Sequence, residues 1–295
     1  MIKENLLNTS VFMIGTWFAK GRVAFYPFNF IRSLVMSRLV THCNSLALFS
    51  LFLLGVAVSL KGAVNPNSGS PPSIGYHHNM ALDWFKSTED ELKVNADGSI
   101  PMAEFKRLLR STATYAAGIP QKNLEVEQYV EYFVKHAHVT GLIVESKEYG
   151  ATVNLDGGRL FNGQVGYLLA SRSVSPKLAK ELDRINRFTE RATDSASCVK
   201  FINKRLGRGR WSQRDSAFIE IFIDVYKSSS AYWGDLDDAG DYAGVPPWVI
   251  AMADALGAGG GAAAGTVIGG PVGGVIGGVA FGATCSAIAS TWGKN

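Results

Sequence analysis

Residues 255–292, ALGAGGGAAAGTVIGGPVGGVIGGVAFGATCSAIASTW, decide how this chain folds. Their 38 positions contain no charged side chain. Glycine recurs at every fourth position, the pattern of a glycine zipper, and a second row of glycines runs beside the later part. The first row is Gly257, Gly261, Gly265, Gly269, Gly273 and Gly277, and the second is Gly270, Gly274, Gly278 and Gly282. Because glycine lets helix backbones approach closely, the pattern predicts packing in a membrane, against an apolar protein partner, or in a homo-oligomer.

Pro271 interrupts the zipper and predicts a bend, because proline in a helix interior removes a hydrogen bond and clashes with the preceding turn. The arms of the resulting hairpin are expected at residues 248–269 and 272–292. Trp248 and Trp292 then lie together at the open end, where amphipathic indole rings suit a membrane interface.

The glycines also decide where such a hairpin is stable. Residues 257–282 contain twelve of them, and each costs about 1 kcal/mol relative to alanine, so an isolated helix in water is disfavoured by roughly 10 kcal/mol. In lipid the helix is favoured, because unpaired backbone groups cost several kcal/mol there. We therefore favour membrane insertion. A soluble hairpin packed on the body and a flexible segment that folds on a partner are the alternatives.

The N-terminal residues 1–63 have the composition of an export leader. They contain six Lys/Arg and one acid, whereas residues 64–295 have a net charge of −1. An uncharged run at 45–60 is typical of a signal peptide, for which Met36 is an alternative start. Export to the periplasm, the envelope membrane or the medium is expected. The nearly neutral remainder argues against nucleic-acid binding, which requires a basic face.

Between leader and tail the sequence predicts a linker at 64–73 and a helical body at 74–246. Apolar residues at helical spacing predict six body helices. The section 140–169 contains turn signals at Gly157-Gly158 and Asn162-Gly163, and a loop or small β-hairpin is expected there. The fold class is therefore all-α, a bundle of about six helices followed by a glycine-rich helical hairpin, with domain boundaries at 1–63, 64–73, 74–246 and 247–295.

No sequence motif indicates catalysis, a metal site or a cofactor, and a non-enzymatic protein is expected. The segment 93–104 resembles a calcium loop, but Lys93 occupies the position where a carboxylate must bind the ion. Histidines 77, 78, 136 and 138 lack the i, i+4 spacing of a helical metal pair. The basic run 204–211 is either a lipid-phosphate contact or a solvated turn. A disulfide between Cys198 and Cys285 is chemically possible after export.

Three short motifs carry a resemblance to a protein family. They are Ile74–Asp83 (IGYHHNMALD), Ser228–Trp233 (SSSAYW) and Ala253–Gly257 (ADALG). With these motifs the chain resembles uncharacterised exported proteins of Bacteroidota bacteria, a group that implies no activity or catalytic residues. The tail by itself resembles glycine-rich bacteriocins and glycine-zipper membrane proteins.

Two functional hypotheses follow. In the first, a helical body delivers or shields a membrane-active glycine-zipper hairpin, as in a bacteriocin-like or toxin-like protein. In the second, an envelope protein uses the hairpin only for anchoring or oligomerisation, and the body binds a partner.

Overall fold

Apolar residues at helical spacing form eight helices in the part of the chain that the computed structural model describes, residues 73–88, 92–119, 125–153, 157–238 and 245–291. The leader, nearly all of the expected linker and Trp292 lie outside these residues. The helices are α1 (Ile74–Thr88), α2 (Met102–Gly118), α3 (Val126–Val139), α4 (Gly157–Ala170), α5 (Pro176–Thr189), α6 (Ser195–Leu206), α7 (Gln213–Asp238) and α8 (Pro247–Ala289). The all-α class is confirmed.

A three-stranded antiparallel sheet accompanies the helices. Strands β2 (Ile143–Ser146) and β3 (Gly150–Val153) form the small β-hairpin expected within residues 140–169. Strand β1 (Ile100–Pro101) pairs with the other side of β3, so the strand order is β1-β3-β2.

The sequence reading was wrong about the residues after this hairpin. Gly157-Gly158 and Asn162-Gly163 do not mark turns, because they belong to helix α4, a seventh body helix. Gly163 has a packing role there: a Cβ at this position would lie 2.1 Å from the carbonyl oxygen of Thr140 at the end of α3. The glycine thus permits close helix contact rather than a turn. Helix α7 continues to Asp238.

Several helix ends follow the local signals in the sequence. Ser175 caps α5 by accepting a hydrogen bond from the backbone N–H of Leu178, with Pro176 in the first turn. Asp194 caps α6 in the same way by accepting from the backbone N–H of Ser197, and Gly207 is the C-cap that follows Leu206. Local chemistry therefore fixes the position of these two helices along the chain.

Helix α8 consists of two arms joined by a break at two glycines. Gly269 and Gly270 have non-helical dihedral angles, and Gly270 adopts φ 58° with ψ −146°, a region that side chains with a Cβ avoid. Pro271 follows directly and disfavours helical geometry in the residue before it. The bend is thus made by the glycines immediately before Pro271.

The glycine-rich hairpin is the centre of the bundle and not an extension from it. Contacts join α8 to α1, α2, α3, α4, α5, α6 and α7, with the most extensive ones to α7, α2 and α1. Both hydrophobic clusters of the core contain residues of α8. Among the described residues α8 is the one helix long and apolar enough to cross a membrane, yet 94% of its most apolar window is buried inside the protein.

Candidate functional site

The two arms of α8 pack against each other through the first glycine row. A Cβ on Gly261 would lie 2.2 Å from the carbonyl oxygen of Gly277, and one on Gly265 would lie 2.1 Å from that of Gly273. Closer to the open end, a Cβ on Gly257 would lie 2.7 Å from the sulfur of Cys285. Each distance is far below van der Waals contact, so the arms approach to a separation that only glycine permits.

The second row mainly serves contacts with the body and with the first arm. A Cβ on Gly282 would meet the His78 ring and Ala258 at 3.1 Å, and one on Gly278 would have ordinary contacts with Ala258, Ala262 and Ile74. Gly274 is buried, whereas Gly270 has open space beside it. From the first row, Gly269 lies against the Tyr129 hydroxyl of α3. Glycine therefore brings the hairpin close both to itself and to its surroundings.

The tryptophan expected to anchor the first arm at a membrane has protein neighbours here. Trp248 is half-buried and packs against the hydrophobic cluster that includes residues of α5, α6 and α7. The Tyr226 hydroxyl donates a hydrogen bond to its carbonyl oxygen at 3.3 Å. Trp292, the other expected anchor, lies outside the described residues.

A buried polar cluster surrounds Asp254, the only charged-type residue of α8. The hydroxyl of Ser286, on the opposite arm, donates to Asp254 Oδ2 at 2.7 Å, and Ser229 of α7 donates to the same oxygen. The indole N–H of Trp233 donates to Ser286 Oγ at 3.0 Å. His78 of α1 places Nε2 at 3.6 Å from Asp254 Oδ2. The cluster thus connects both arms of the hairpin to α1 and α7.

Burial controls the charge of this cluster. Both His78 and Asp254 are fully enclosed. Loss of hydration raises the pKa of Asp254 to about 8, although its hydroxyl and indole neighbours partly oppose the shift. The same cause lowers the pKa of His78 to about 4. At neutral pH the carboxyl group is therefore protonated and the imidazole is neutral, so the centre of the bundle carries no net charge.

All three motifs that carried the family resemblance meet at this cluster. IGYHHNMALD contributes His78 and Asn79, whose side chain donates to the carbonyl oxygen of Ser228 at 3.0 Å. SSSAYW contributes Ser229 and Trp233, and ADALG contributes Asp254. The sequence reading did not assign these residues a role. The available signal was a lone aspartate in an otherwise uncharged helix, which requires buried polar partners.

The cluster contains serine, histidine and aspartate, but its geometry is that of a helix connector. A nucleophilic serine needs a base that accepts its proton, and here Ser229 donates to Asp254 rather than to His78. All three side chains have no exposed surface. The arrangement therefore holds helices together through neutral hydrogen bonds and offers no reacting atom to a substrate in this conformation.

Two smaller polar contacts involve α2, α3 and α4 where they pack against α8. His136 of α3 lies 3.2 Å from Gln164 Oε1 of α4, with its ring edge-on to Phe281, and burial lowers its pKa to about 4. Gln164 in turn fills the space beside Gly260, where a Cβ would lie 1.9 Å from Oε1. On the other side, the Thr112 and Thr284 hydroxyl groups lie 3.1 Å apart and join α2 to the second arm.

The other sequence candidates occupy separate places. In the calcium-like segment Asp97 accepts hydrogen bonds from the backbone and hydroxyl groups of Ser99, which is an ordinary turn. Across the described residues no three His, Cys, Asp or Glu side chains come together as a metal site would require. Cys198 and Cys285 are both free and buried, so the disulfide considered above is absent from the structure.

Comparison of the chain with protein-family models, curated proteins and solved structures found no match.

Proposed function

We propose that this protein is an exported, non-enzymatic, bacteriocin-like or toxin-like protein whose helical body stores a membrane-active glycine-zipper hairpin until it meets a membrane. One observation carries the proposal: among the described residues the most apolar and least charged segment, α8, is enclosed except at its bend by amphipathic helices that keep it from water.

The dimensions of the hairpin suit a bilayer. The first arm covers residues 247–268 and the second covers 271–289. At 1.5 Å per residue these lengths correspond to about 33 Å and 28 Å, close to the roughly 30 Å of a hydrocarbon core. Each arm can therefore cross the apolar layer once, and the bend at Gly269 and Gly270 joins them at one side.

The internal packing of the hairpin also supports transfer as a unit. The closest contacts, between Gly261 and Gly277 and between Gly265 and Gly273, join the two arms and involve no body residue. They would persist in lipid, where close packing of small residues is a principal source of helix association. Asp254 is the only acidic or basic residue in the hairpin, and it enters lipid at lower cost as the neutral acid.

Release requires that the body separate from α8. Ile74 of α1 provides a point at which this separation can be blocked, because a Cβ on Gly278 would lie 3.8 Å from its Cγ2 atom. A cysteine sulfur at position 74 can occupy the place of that Cγ2 atom, so it comes within reach of a cysteine at position 278 and the pair is suited to a disulfide. Oxidation would fasten the hairpin to the body and reduction would release it.

The experiment uses an Ile74→Cys, Gly278→Cys chain in which Cys43, Cys198 and Cys285 are replaced by alanine. We expect the reduced protein to release dye from vesicles containing phosphatidylglycerol and the oxidised protein not to do so, with activity restored by a thiol reductant. The two single-cysteine variants serve as controls and should respond to neither treatment. Equal leakage from locked and unlocked protein, or none from either, contradicts the proposal. Stable oligomers without leakage would instead support the anchoring hypothesis.

A further inference from the structure

The helices α5 and α6 form a strongly basic lobe on a molecule that is otherwise acidic. Residues 171–214 contain 12 Lys/Arg and 4 Asp/Glu, a net charge of +8. The rest of the chain beyond the leader, residues 64–170 and 215–295, contains 11 Lys/Arg and 20 Asp/Glu, a net charge of −9. The small net charge of the whole chain hides this separation of a positive lobe from a negative remainder. Such a separation orients the molecule near a charged surface.

A groove of about 1030 Å³ lies between α6 and α7 at the edge of this lobe. Ala196, Val199 and Ala231 contribute apolar surface to it. Ser230, 5% exposed, also lines the groove, and its hydroxyl has no hydrogen-bond partner among the described residues. The groove therefore combines apolar walls with one unsatisfied polar group.

Four exposed cations surround the groove. Lys200, Lys204 and Arg208 come from α6 and the turn after it, and Lys227 comes from α7. Within the described ranges none of the four makes an ion pair, whereas the neighbouring Arg205 turns away to Glu181 at 3.6 Å. Four like charges without counter-ions repel one another, and an anion placed among them would relieve that repulsion.

We infer that this face docks the protein onto an anionic phospholipid membrane, with a lipid headgroup among the four cations and its acyl chain against the apolar wall. The inference rests on the proposed membrane action. Amphipathic lipid matches both properties of the groove, since a charged head and an apolar chain are joined in one molecule. Each Lys or Arg near an anionic leaflet is attracted to its surface potential, and the attraction falls off within about 10 Å at 0.1 M salt.

Docking is measured on the oxidised, locked protein, so that insertion does not contribute. The full-length chain is sedimented with phosphatidylcholine vesicles that contain or lack about one third phosphatidylglycerol. The variant is Lys200→Gln, Lys204→Gln, Arg208→Gln, Lys227→Gln. The matched control removes the same charge from exposed lysines elsewhere, as Lys93→Gln, Lys106→Gln, Lys135→Gln, Lys147→Gln.

We expect the groove variant to bind anionic vesicles roughly tenfold or more weakly and the control variant to change by about threefold or less. On wild-type protein, amides of α6 should gain protection from hydrogen exchange with anionic vesicles and not with neutral ones. This second measurement decides the matter even if the groove variant does not fold.

Equal weakening by the two variants would show a general charge effect and overturn the inference, as would equal binding to neutral and anionic vesicles. If the groove variant lost binding to a short DNA duplex and bound vesicles as the wild type does, the face would be assigned to nucleic acid, and the inference would again be overturned. The two proposals fail separately. If vesicle binding depends on the groove but the unlocked protein causes no leakage, the storage hypothesis is wrong. If leakage occurs and the groove variant binds vesicles as the wild type does, only the docking site is wrong.

Discussion

At the residue scale, Asp254 illustrates how burial changes the chemistry of a side chain. A carboxylate in the centre of the bundle would be costly without a counter-charge, and the neutral His78 at 3.6 Å supplies none. Protonation removes the cost and leaves a group that can still hydrogen-bond to Ser229 and Ser286. The result is a connector between helices whose strength depends on pH.

The pKa shifts of three buried groups predict that the fold is most stable at mildly acidic to neutral pH. Unfolding returns the pKa of Asp254 from about 8 to 3.8, so the folded state retains a proton that the unfolded state has lost, and raising the pH above 6.5 destabilises the fold. For His78 and His136 unfolding raises the pKa from about 4 to 6.5. Below pH 6.5 the unfolded chain binds two protons on its histidines, whereas the folded chain binds one on Asp254. Lowering the pH therefore favours the unfolded state. On the acidic side the free energy of unfolding falls by about 1 kcal/mol per pH unit, and on the alkaline side it falls less steeply because the unfolded histidines are still losing their protons there.

Asp254→Asn tests the alkaline side of this maximum. The amide occupies nearly the same volume and stays neutral, so the decrease of about 1 kcal/mol expected for the wild type between pH 6.5 and 8 should disappear. Urea titrations at several pH values measure it. Asp237→Asn, an exposed residue of α7, should keep the wild-type slope. If both variants retain that slope, the proton on Asp254 does not control stability.

At the element scale, the glycine rows of α8 are not equivalent. Gly261 faces the backbone of the opposite arm, where a Cβ would lie 2.2 Å from the Gly277 oxygen, whereas Gly278 has a nearest contact of 3.4 Å. Both positions are helical, and alanine relieves the same helix-propensity cost of about 1 kcal/mol at each. The difference between them therefore isolates the arm–arm contact.

We expect Gly261→Ala to lower the free energy of unfolding by about 1–3 kcal/mol, because the arms must separate to accept the methyl group. Gly278→Ala should leave it unchanged or raise it by up to about 1 kcal/mol. Chemical denaturation followed by circular dichroism compares them. Equal effects of the two substitutions would mean that the row of Gly261 is not the close interface of the hairpin.

The sequence predicted the helices better than the tertiary contacts between them. Apolar spacing identified six of the seven body helices, and the glycine repeat with Pro271 predicted a two-armed tail. Helix α4 was missed because glycine at position 163 locally favours a turn. Its packing role depends on the close approach of Thr140, which is a tertiary contact. The Asp254 cluster was missed for the same reason: its partners are 25, 32 and 176 positions away in the chain.

At the scale of the whole molecule, the hairpin and the body depend on each other. Ile276 and Phe281 belong to the cluster that contains α1, α2 and α3, and Met252 and Leu256 belong to the one that contains α5, α6 and α7. Neither cluster is complete without α8. The amphipathic faces of the body helices are therefore directed at the hairpin, which is what a shield for an apolar segment requires.

This dependence predicts that the body cannot fold without the hairpin. A chain that ends at residue 244 loses the centre of both clusters, and the remaining helices would surround a space too large to collapse without rearrangement. We expect substantial helicity in the far ultraviolet, loss of the near-ultraviolet signal of the buried aromatic residues and strong binding of a hydrophobic dye, which together define a molten globule.

The full-length chain is the reference and should show a fixed near-ultraviolet spectrum and a cooperative unfolding transition in urea. Cooperative unfolding of the truncated chain, with its aromatic spectrum intact, would show that the hairpin is an appendage to a body that folds alone. The body would then not depend on α8 for its core, and release of the hairpin would cost little stability. Under the storage hypothesis the opposite holds, and release of the hairpin must be compensated by its contacts with lipid.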